Sequence, residues 1–182
     1  MKQPPLGRDD PWEERLGLAL REAKKIVVLG VGNPDQGDDG AGPRCAERLK
    51  RGLRAPAGGR VLVIDARQVP ENHTGAIRAF GPDLTVIVDA AAGGRAPGAI
   101  FIVDRDQIAD EGLSTHAIPL VLLVRYLEED IGCEVLVLGI QPGAIELGLG
   151  RKALSAPVER SVKKLADVLA KRLNPGSDFF PA

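Results

Sequence analysis

Short apolar runs alternate along the chain with longer segments in which apolar residues recur every three or four positions. The short runs are rich in β-branched residues and predict five β-strands, at 26–29, 61–65, 84–89, 99–103 and 135–140. The first of them, from Ile26 to Leu29, contains no polar residue, which is typical of a strand that is covered on both faces. We therefore expect a buried sheet.

The longer segments predict five helices. The first begins at Asp10 and Pro11, and the others span 43–53, 70–80, 118–130 and 157–173. Proline lies at or near the start of several of these segments, where its fixed φ suits a helix and its missing N–H is not needed. Gly81 and Pro82 then provide a stop signal for the third helix.

The alternation of strands and helices predicts an α/β fold with three layers: a twisted, mostly parallel five-stranded sheet with helices on both faces. The connection before 99–103 is short, so this strand is expected to be an antiparallel edge strand. We expect a single domain, with a helical extension at 1–24, a core at 25–173 and a tail at 174–182. In such folds the ligand site lies beyond the carboxyl ends of the strands.

The first strand runs into a glycine-rich turn that ends in two adjacent acids. Gly30, Gly32 and Gly37 free the backbone to bend or to be approached closely, so they are predicted to shape this turn. Asp38 and Asp39 follow at the start of the next helix, where the helix dipole stabilises carboxylates. Two interpretations are open: the acids carry chemistry, or Asp38 caps the helix beside a solvated Asp39.

Three predicted strands end in or lead into an acid: Asp39, Asp65 and Asp89. His116 precedes a helix and can reach the same edge of the sheet. Asp39, Asp89 and His116 together would form a metal site with an open position, suited to zinc or nickel. Such an ion acidifies water and polarises a carbonyl, which is the chemistry of peptide hydrolysis. The alternative is that the acids are structural caps and the histidine is a surface residue.

The charge and cysteine content of the chain argue against some classes of binding partner and cellular compartment. With 24 basic and 25 acidic residues among 182, the chain has no charge excess that would favour nucleic acid or an anionic membrane. Cys45 and Cys133 are far apart in sequence, which indicates packing roles in a reducing compartment. We see no leader peptide and no apolar run near about 18 residues, so we expect a cytoplasmic protein without membrane insertion.

Five motifs in sequence resemble the maturation endopeptidases of nickel–iron hydrogenases, in particular the branch that acts on hydrogenase 3-type large subunits. They are GVGNPDQGDDGAG at 30–42, PEN at 70–72, IVDA at 87–90, STHAIPL at 114–120 and GIQP at 139–142. The resemblance covers roughly 25–173. It implies an endopeptidase that removes a short C-terminal extension from the large-subunit precursor once nickel has been inserted. We expect the protein to be a monomer.

The resemblance also implies roles for single residues. Asp39, Asp89 and His116 match the metal-binding positions of the family, and the metal is expected to be nickel carried by the precursor, with a zinc-type ion as the alternative in the free enzyme. Asp38 would be a general base or a helix cap, and its position at the helix start favours the cap. The N-terminal helix lies outside the core match.

Three further polar residues are candidates for substrate binding. Glu71 and Asn72 could bind the backbone of the precursor or cap their own helix, and Gln141 could hydrogen-bond the extended peptide or stabilise a turn. His73 is expected to be solvated.

Two other classes of protein are alternatives. Gly30 and Gly32 follow a strand, as in nucleotide-binding domains, but Asp38 and Asp39 would repel a pyrophosphate at the helix start. The second alternative is a non-catalytic chaperone that binds nickel or the tail of the precursor. The chaperone would bind the precursor without cleaving it.

Overall fold

The computed structural model describes residues 12–54, 59–108, 117–143 and 153–174. Within these ranges lie the strands β1 (Ile26–Val31), β2 (Val61–Arg67), β3 (Leu84–Ala90), β4 (Ile100–Ile102) and β5 (Glu134–Ile140). The helices are α1 (Trp12–Glu22), α2 (Ala41–Gly52), α3 (Thr74–Phe80), α4 (Arg105–Ile108), α5 (Ala117–Tyr126) and α6 (Ala156–Leu173). The predicted helix start at Asp10 and Pro11 lies outside the described residues.

The strands form one sheet in the order β2-β1-β3-β5-β4. β1 pairs in parallel with β2 and β3, and β3 pairs in parallel with β5. β4 pairs antiparallel with β5 at one edge. The α/β fold with a mostly parallel sheet and an antiparallel edge strand is therefore confirmed. We call the side on which β1, β2, β3 and β5 end the carboxyl edge.

Alternate residues of the central strands face two separate core layers. Ile26 and Val28 on β1 pack with α1, α2 and α6, whereas Val27 and Leu29 pack with α3 and α5. Cys45 and Cys133 are buried free thiols, one in each layer. Helices on both faces thus bury the sheet, as the uninterrupted apolar run of β1 predicts.

Two predicted helices have a more complex local structure. The segment predicted as a helix over 70–80 is a 3₁₀ helix at Pro70–His73 followed by α3. The segment predicted over 118–130 is α5 followed by a π-helical turn at Leu127–Ile131. Both end at a glycine in the left-handed conformation, Gly81 and Gly132, which closes a helix without strain.

A 3₁₀ helix at Gly37–Gly40 and the short α4 were not predicted. The first is important for the site, because it carries both acids of the glycine-rich turn. None of the helices within the described ranges is long and apolar enough to span a membrane.

Candidate active site

The glycine-rich turn is held by contacts too close for a side chain. Gly32 has φ +135, and a Cβ atom there would lie 1.9 Å from the carbonyl oxygen of Asp39. Gly37 has φ +57, and a Cβ atom on Gly30 would lie 2.2 Å from the carbonyl oxygen of Gly42. The turn therefore brings the 3₁₀ helix with its acids directly against the end of β1.

Asp39 is buried at the carboxyl edge, with 1% of its surface exposed. Its Oδ2 accepts a hydrogen bond from the backbone N–H of Asn33, at 2.8 Å. The interpretation of Asp39 as a solvated neighbour of a cap is therefore wrong. Asn33 is a residue that sequence reasoning missed, although Asn-Pro is a turn signal: its side-chain Oδ1 also accepts the N–H of Asp35.

Asp38 does not cap its helix, so the preferred interpretation of this residue is wrong. Gln36 and Gly40 occupy the N-cap positions of the 3₁₀ helix and of α2, and neither makes a side-chain cap hydrogen bond. The carboxylate of Asp38 points instead to residues more than one hundred positions later. It accepts hydrogen bonds from the N–H and Oγ of Ser155, at 2.6 and 2.8 Å, and from the N–H of Gly143, at 2.8 Å.

Asp89 is the second carboxylate that the sequence places at this edge, and it is 1% exposed. It lies near the end of β3, in register with Gly139 of β5, and its Oδ1 accepts the N–H of Ala90 at 2.9 Å. β3 contacts the 3₁₀ helix that carries Asp39. The structure thus brings the buried carboxylates of Asp39 and Asp89 to the same edge of the sheet.

The third predicted ligand, His116, lies outside the described residues. Among the residues that are described, no group of three His, Cys, Asp or Glu side chains could hold a metal ion. The described part of the site therefore contributes two carboxylates, Asp39 and Asp89. Carboxylate oxygens are ligands that divalent cations accept, so this pair is chemically compatible with the predicted metal.

Asp65, the third acid that the sequence places at a strand end, lies on the β2 side of the carboxyl edge. It is in register with Gly30 and forms an ion pair with Arg67, at 3.8 Å. Together with neighbours from the turn and from α2 it borders a cavity of about 370 Å³, lined by Pro34, Asp35, Pro43, Arg44, Glu47, Asp65 and Arg67. This cavity lies immediately beside the 3₁₀ helix of Asp39.

The predicted substrate-binding residues lie in different environments. Glu71 and Asn72 are exposed on the 3₁₀ helix that follows β2. Its N-cap residue is Val69 and makes no side-chain cap hydrogen bond, so the interpretation of Glu71 and Asn72 as N-caps is wrong. The side chain of His73 is partly exposed.

Gln141 is 9% exposed at the end of β5. Its Oε1 accepts the N–H of Arg95 at 3.1 Å, and its Nε2 donates to the carbonyl oxygen of Pro142 at 3.3 Å. The guanidinium of Arg95 stacks on the ring of Phe101, 4.5 Å from its centroid. The amide of Gln141 thus holds the loop between β3 and β4, and its predicted contact with substrate stays a prediction.

The fold and these contacts define the class of protein: an α/β protein with three buried acids, Asp38, Asp39 and Asp89, at the carboxyl edge of a mostly parallel sheet, where such folds bind their ligands. A sequence profile described as HycI, hydrogenase maturation protease, matches residues 43–172. The hydrogenase 3 maturation protease of Escherichia coli K12 is 42% identical over 148 residues, which cover 81% of this chain and 87% of that protein.

Solved structures of hydrogenase maturation proteases have a fold similar to that of this chain. The crystal structure of the [NiFe] hydrogenase maturation protease HycI from Thermococcus kodakarensis KOD1 superposes with a TM-score of 0.77 at 34% identity, over 87% of this chain and 98% of that chain. The solution structure of the endopeptidase HycI from Escherichia coli gives 0.66 at 39% identity, over 79% and 87%. The chain belongs to the hydrogenase maturation protease family.

Proposed function

We propose that this protein is an endopeptidase that removes the C-terminal extension of a nickel–iron hydrogenase large-subunit precursor after nickel insertion. The observation that carries the proposal is the burial of Asp39 and Asp89 at the carboxyl edge of a sheet that matches known maturation proteases. Burying a carboxylate is unfavourable unless it is paired or hydrogen-bonded, so two buried acids at a ligand-binding edge indicate function.

The metal in this proposal is the nickel ion of the precursor, and it is therefore part of the substrate. Asp39, Asp89 and His116 would contact it, and the two described residues have the oxygen donors that a divalent ion needs. When bound, the ion would polarise the scissile carbonyl and acidify a water molecule. A zinc-type ion in the free enzyme is the alternative.

Hydrogen bonds from the backbone orient the carboxylates of Asp39 and Asp89 in the absence of substrate. The N–H of Asn33 orients one oxygen of Asp39, and the N–H of Ala90 orients one oxygen of Asp89. Groups that are already oriented need little reorganisation when the reaction begins, which is a large part of enzymatic rate enhancement. Glu71, Asn72 and Gln141 are proposed to contact the extended precursor segment around the site.

The decisive experiment incubates the protein with nickel-loaded and nickel-free precursor and follows the C-terminal mass by mass spectrometry. We expect the nickel-loaded precursor to lose a short peptide and the nickel-free precursor to stay intact. An intact nickel-loaded precursor at saturating protein would indicate the chaperone. Equal cleavage of both precursors would contradict recognition through nickel. The expectation of a monomer stays a prediction, which light scattering tests.

The nucleotide-binding alternative is disfavoured by the same acids. Asp38 and Asp39 are buried beside the N-terminus of α2, where a nucleotide-binding domain presents bare amides to phosphate. We expect no thermal shift with adenine nucleotides.

A further inference from the structure

One buried carboxylate joins three remote parts of the chain at the carboxyl edge. Asp38 is 2% exposed, and its two oxygens accept three hydrogen bonds, two of them from backbone N–H groups. The donors are 105 and 117 residues away in sequence. A carboxylate that accepts several short hydrogen bonds forms stronger contacts than a neutral group would.

The three connected parts are the turn that carries Asp39, the end of β5 and the start of α6. Asp38 shares the 3₁₀ helix at Gly37–Gly40 with Asp39. Gly143 follows the end of β5, which pairs with the strand of Asp89. Ser155 is the N-cap residue of α6, whose body packs against α2. The carboxylate therefore fixes the turn of Asp39 relative to β5 and α6.

We propose that Asp38 is a positioning residue, which holds Asp39 in place and does not itself accept a proton from the attacking water. This inference builds on the proposed function, since it concerns the site of the same reaction. Both oxygens of Asp38 already accept hydrogen bonds from the chain, Oδ1 from the N–H of Ser155 and Oδ2 from its hydroxyl and from the N–H of Gly143. We therefore infer that they serve this contact and not the proton of a substrate water. A general base must lie within hydrogen-bonding reach of the proton it removes.

The substitution Asp38→Asn tests this idea with little change in shape. The amide has one acceptor oxygen and one NH2 group, whereas Oδ1 and Oδ2 each receive a backbone N–H, from Ser155 and Gly143 respectively. Whichever way the amide is turned, its NH2 group faces a backbone N–H. The turn must then shift to separate the two donors, and Asp39 shifts with it.

Ser155→Ala is a milder variant of the same contact. It removes the hydroxyl donor and leaves both backbone hydrogen bonds to Asp38 in place. Glu159→Gln is the matched control, because it removes a charge from the first turn of α6 at an exposed position.

The first measurement is amide hydrogen exchange at Asn33, whose backbone N–H donates a hydrogen bond to the carboxylate of Asp39. We expect Asp38→Asn to accelerate this exchange about tenfold and Ser155→Ala to accelerate it less, because a weakened charge-assisted hydrogen bond opens more often. The amide of Val86, in the centre of β3, and the Glu159→Gln protein should exchange at parental rates. Unchanged exchange at Asn33 in both site variants would overturn the proposal.

The second measurement is steady-state cleavage of nickel-loaded precursor as a function of pH. We expect kcat to fall about 100-fold in Asp38→Asn, as a displacement near 1 Å can cause, with KM almost unchanged and the shape of the pH profile retained. Ser155→Ala should lower kcat less. A pH profile that loses its acidic limb in Asp38→Asn, with parental kcat in Ser155→Ala, would assign the general base to Asp38.

The two measurements separate the two proposals. If the parental protein does not cleave the precursor, the proposed function fails, whereas exchange at Asn33 still reports whether Asp38 positions Asp39. If Asp38→Asn does not fold, the exchange and kinetics of Ser155→Ala decide.

Discussion

Gly42 of α2 lies directly against Val31 at the end of β1. A Cβ atom at position 42 would be 2.2 Å from the carbonyl oxygen of Val31 and 2.3 Å from that of Val88. Two neighbouring strands thus touch the first turn of the helix through backbone atoms alone. This contact sets the distance between the sheet and the helix that follows the two acids.

The first prediction concerns this close contact. We expect Gly42→Ala to lower the free energy of unfolding by about 3 kcal/mol, because rigid backbone atoms cannot move away without strain. Gly75→Ala is the control: apart from its chain neighbours and the backbone of its own helix, no atom of the described residues lies within 4 Å of a Cβ built there. Alanine in α3 should stabilise by up to about 1 kcal/mol. Urea unfolding measures both. Equal stability of the two variants would contradict the prediction.

The second prediction concerns the buried acids. We expect Asp39→Asn and Asp89→Asn each to abolish processing of the nickel-loaded precursor, while the far-UV circular dichroism spectrum stays parental. The reason is that an amide is a poor ligand for a divalent ion and changes the charge of the edge. His73→Ala should leave processing near the parental rate. Parental processing by either acid variant would exclude that acid from the site.

The third prediction concerns the N-terminal helix. Leu16 on α1 is fully buried, whereas Leu18 is 45% exposed. We expect Leu16→Ala to cost about 3 kcal/mol of stability, because it leaves a cavity in the core layer formed with α6, and Leu18→Ala to change stability by less than about 0.5 kcal/mol. Thermal unfolding compares them. If both substitutions were neutral, α1 would not be an integral part of the core.

The fourth prediction concerns the alkaline stability of the protein. Burial raises the pKa of the Cys45 thiol from 9.0 to about 12, against the opposing effect of the nearby Arg48 charge. A raised pKa contributes stability that is complete below the unfolded value and is lost as pH rises towards the folded value. At about 1.4 kcal/mol per pH unit, the contribution lost across this window is about 4 kcal/mol.

Cys45→Ala should be less stable than the parent at pH 8, because it loses buried contacts. The difference in the free energy of unfolding should shrink as pH rises above 9, since the variant has no thiol to ionise. Urea unfolding at several pH values checks this. A difference that stays constant up to pH 11 would rule out the contribution of the thiol.

Local sequence patterns predicted most helices and strands of this fold, because the formation of a helix or a strand depends largely on residues that are close in sequence. The apolar run at the start of β1, the prolines at helix starts and the stop at Gly81 all act within a few positions. The short loop before β4 likewise predicted an antiparallel edge. The strand order was not predicted, because it depends on contacts between segments far apart in sequence.

The role of Asp38 shows the same limit at the site. Its neighbours in sequence indicate a helix cap, yet its partners Gly143 and Ser155 lie more than one hundred residues away. No local pattern contains that pairing. The burial of Asp39 could not be predicted from its sequence neighbours either, since a carboxylate at a helix start is usually exposed. His116 lies outside the described residues, so its place in the site stays a prediction.

The packing of α1 against α6 joins the beginning of the described chain to its end. Trp12 and Glu13 of α1 meet Lys164 of α6, and Arg172 reaches the backbone of Glu13. During synthesis α1 leaves the ribosome before its partner helix α6. That core layer therefore cannot close until α6 has emerged, and a nascent chain stalled before α6 would expose the apolar face of α1 to chaperones.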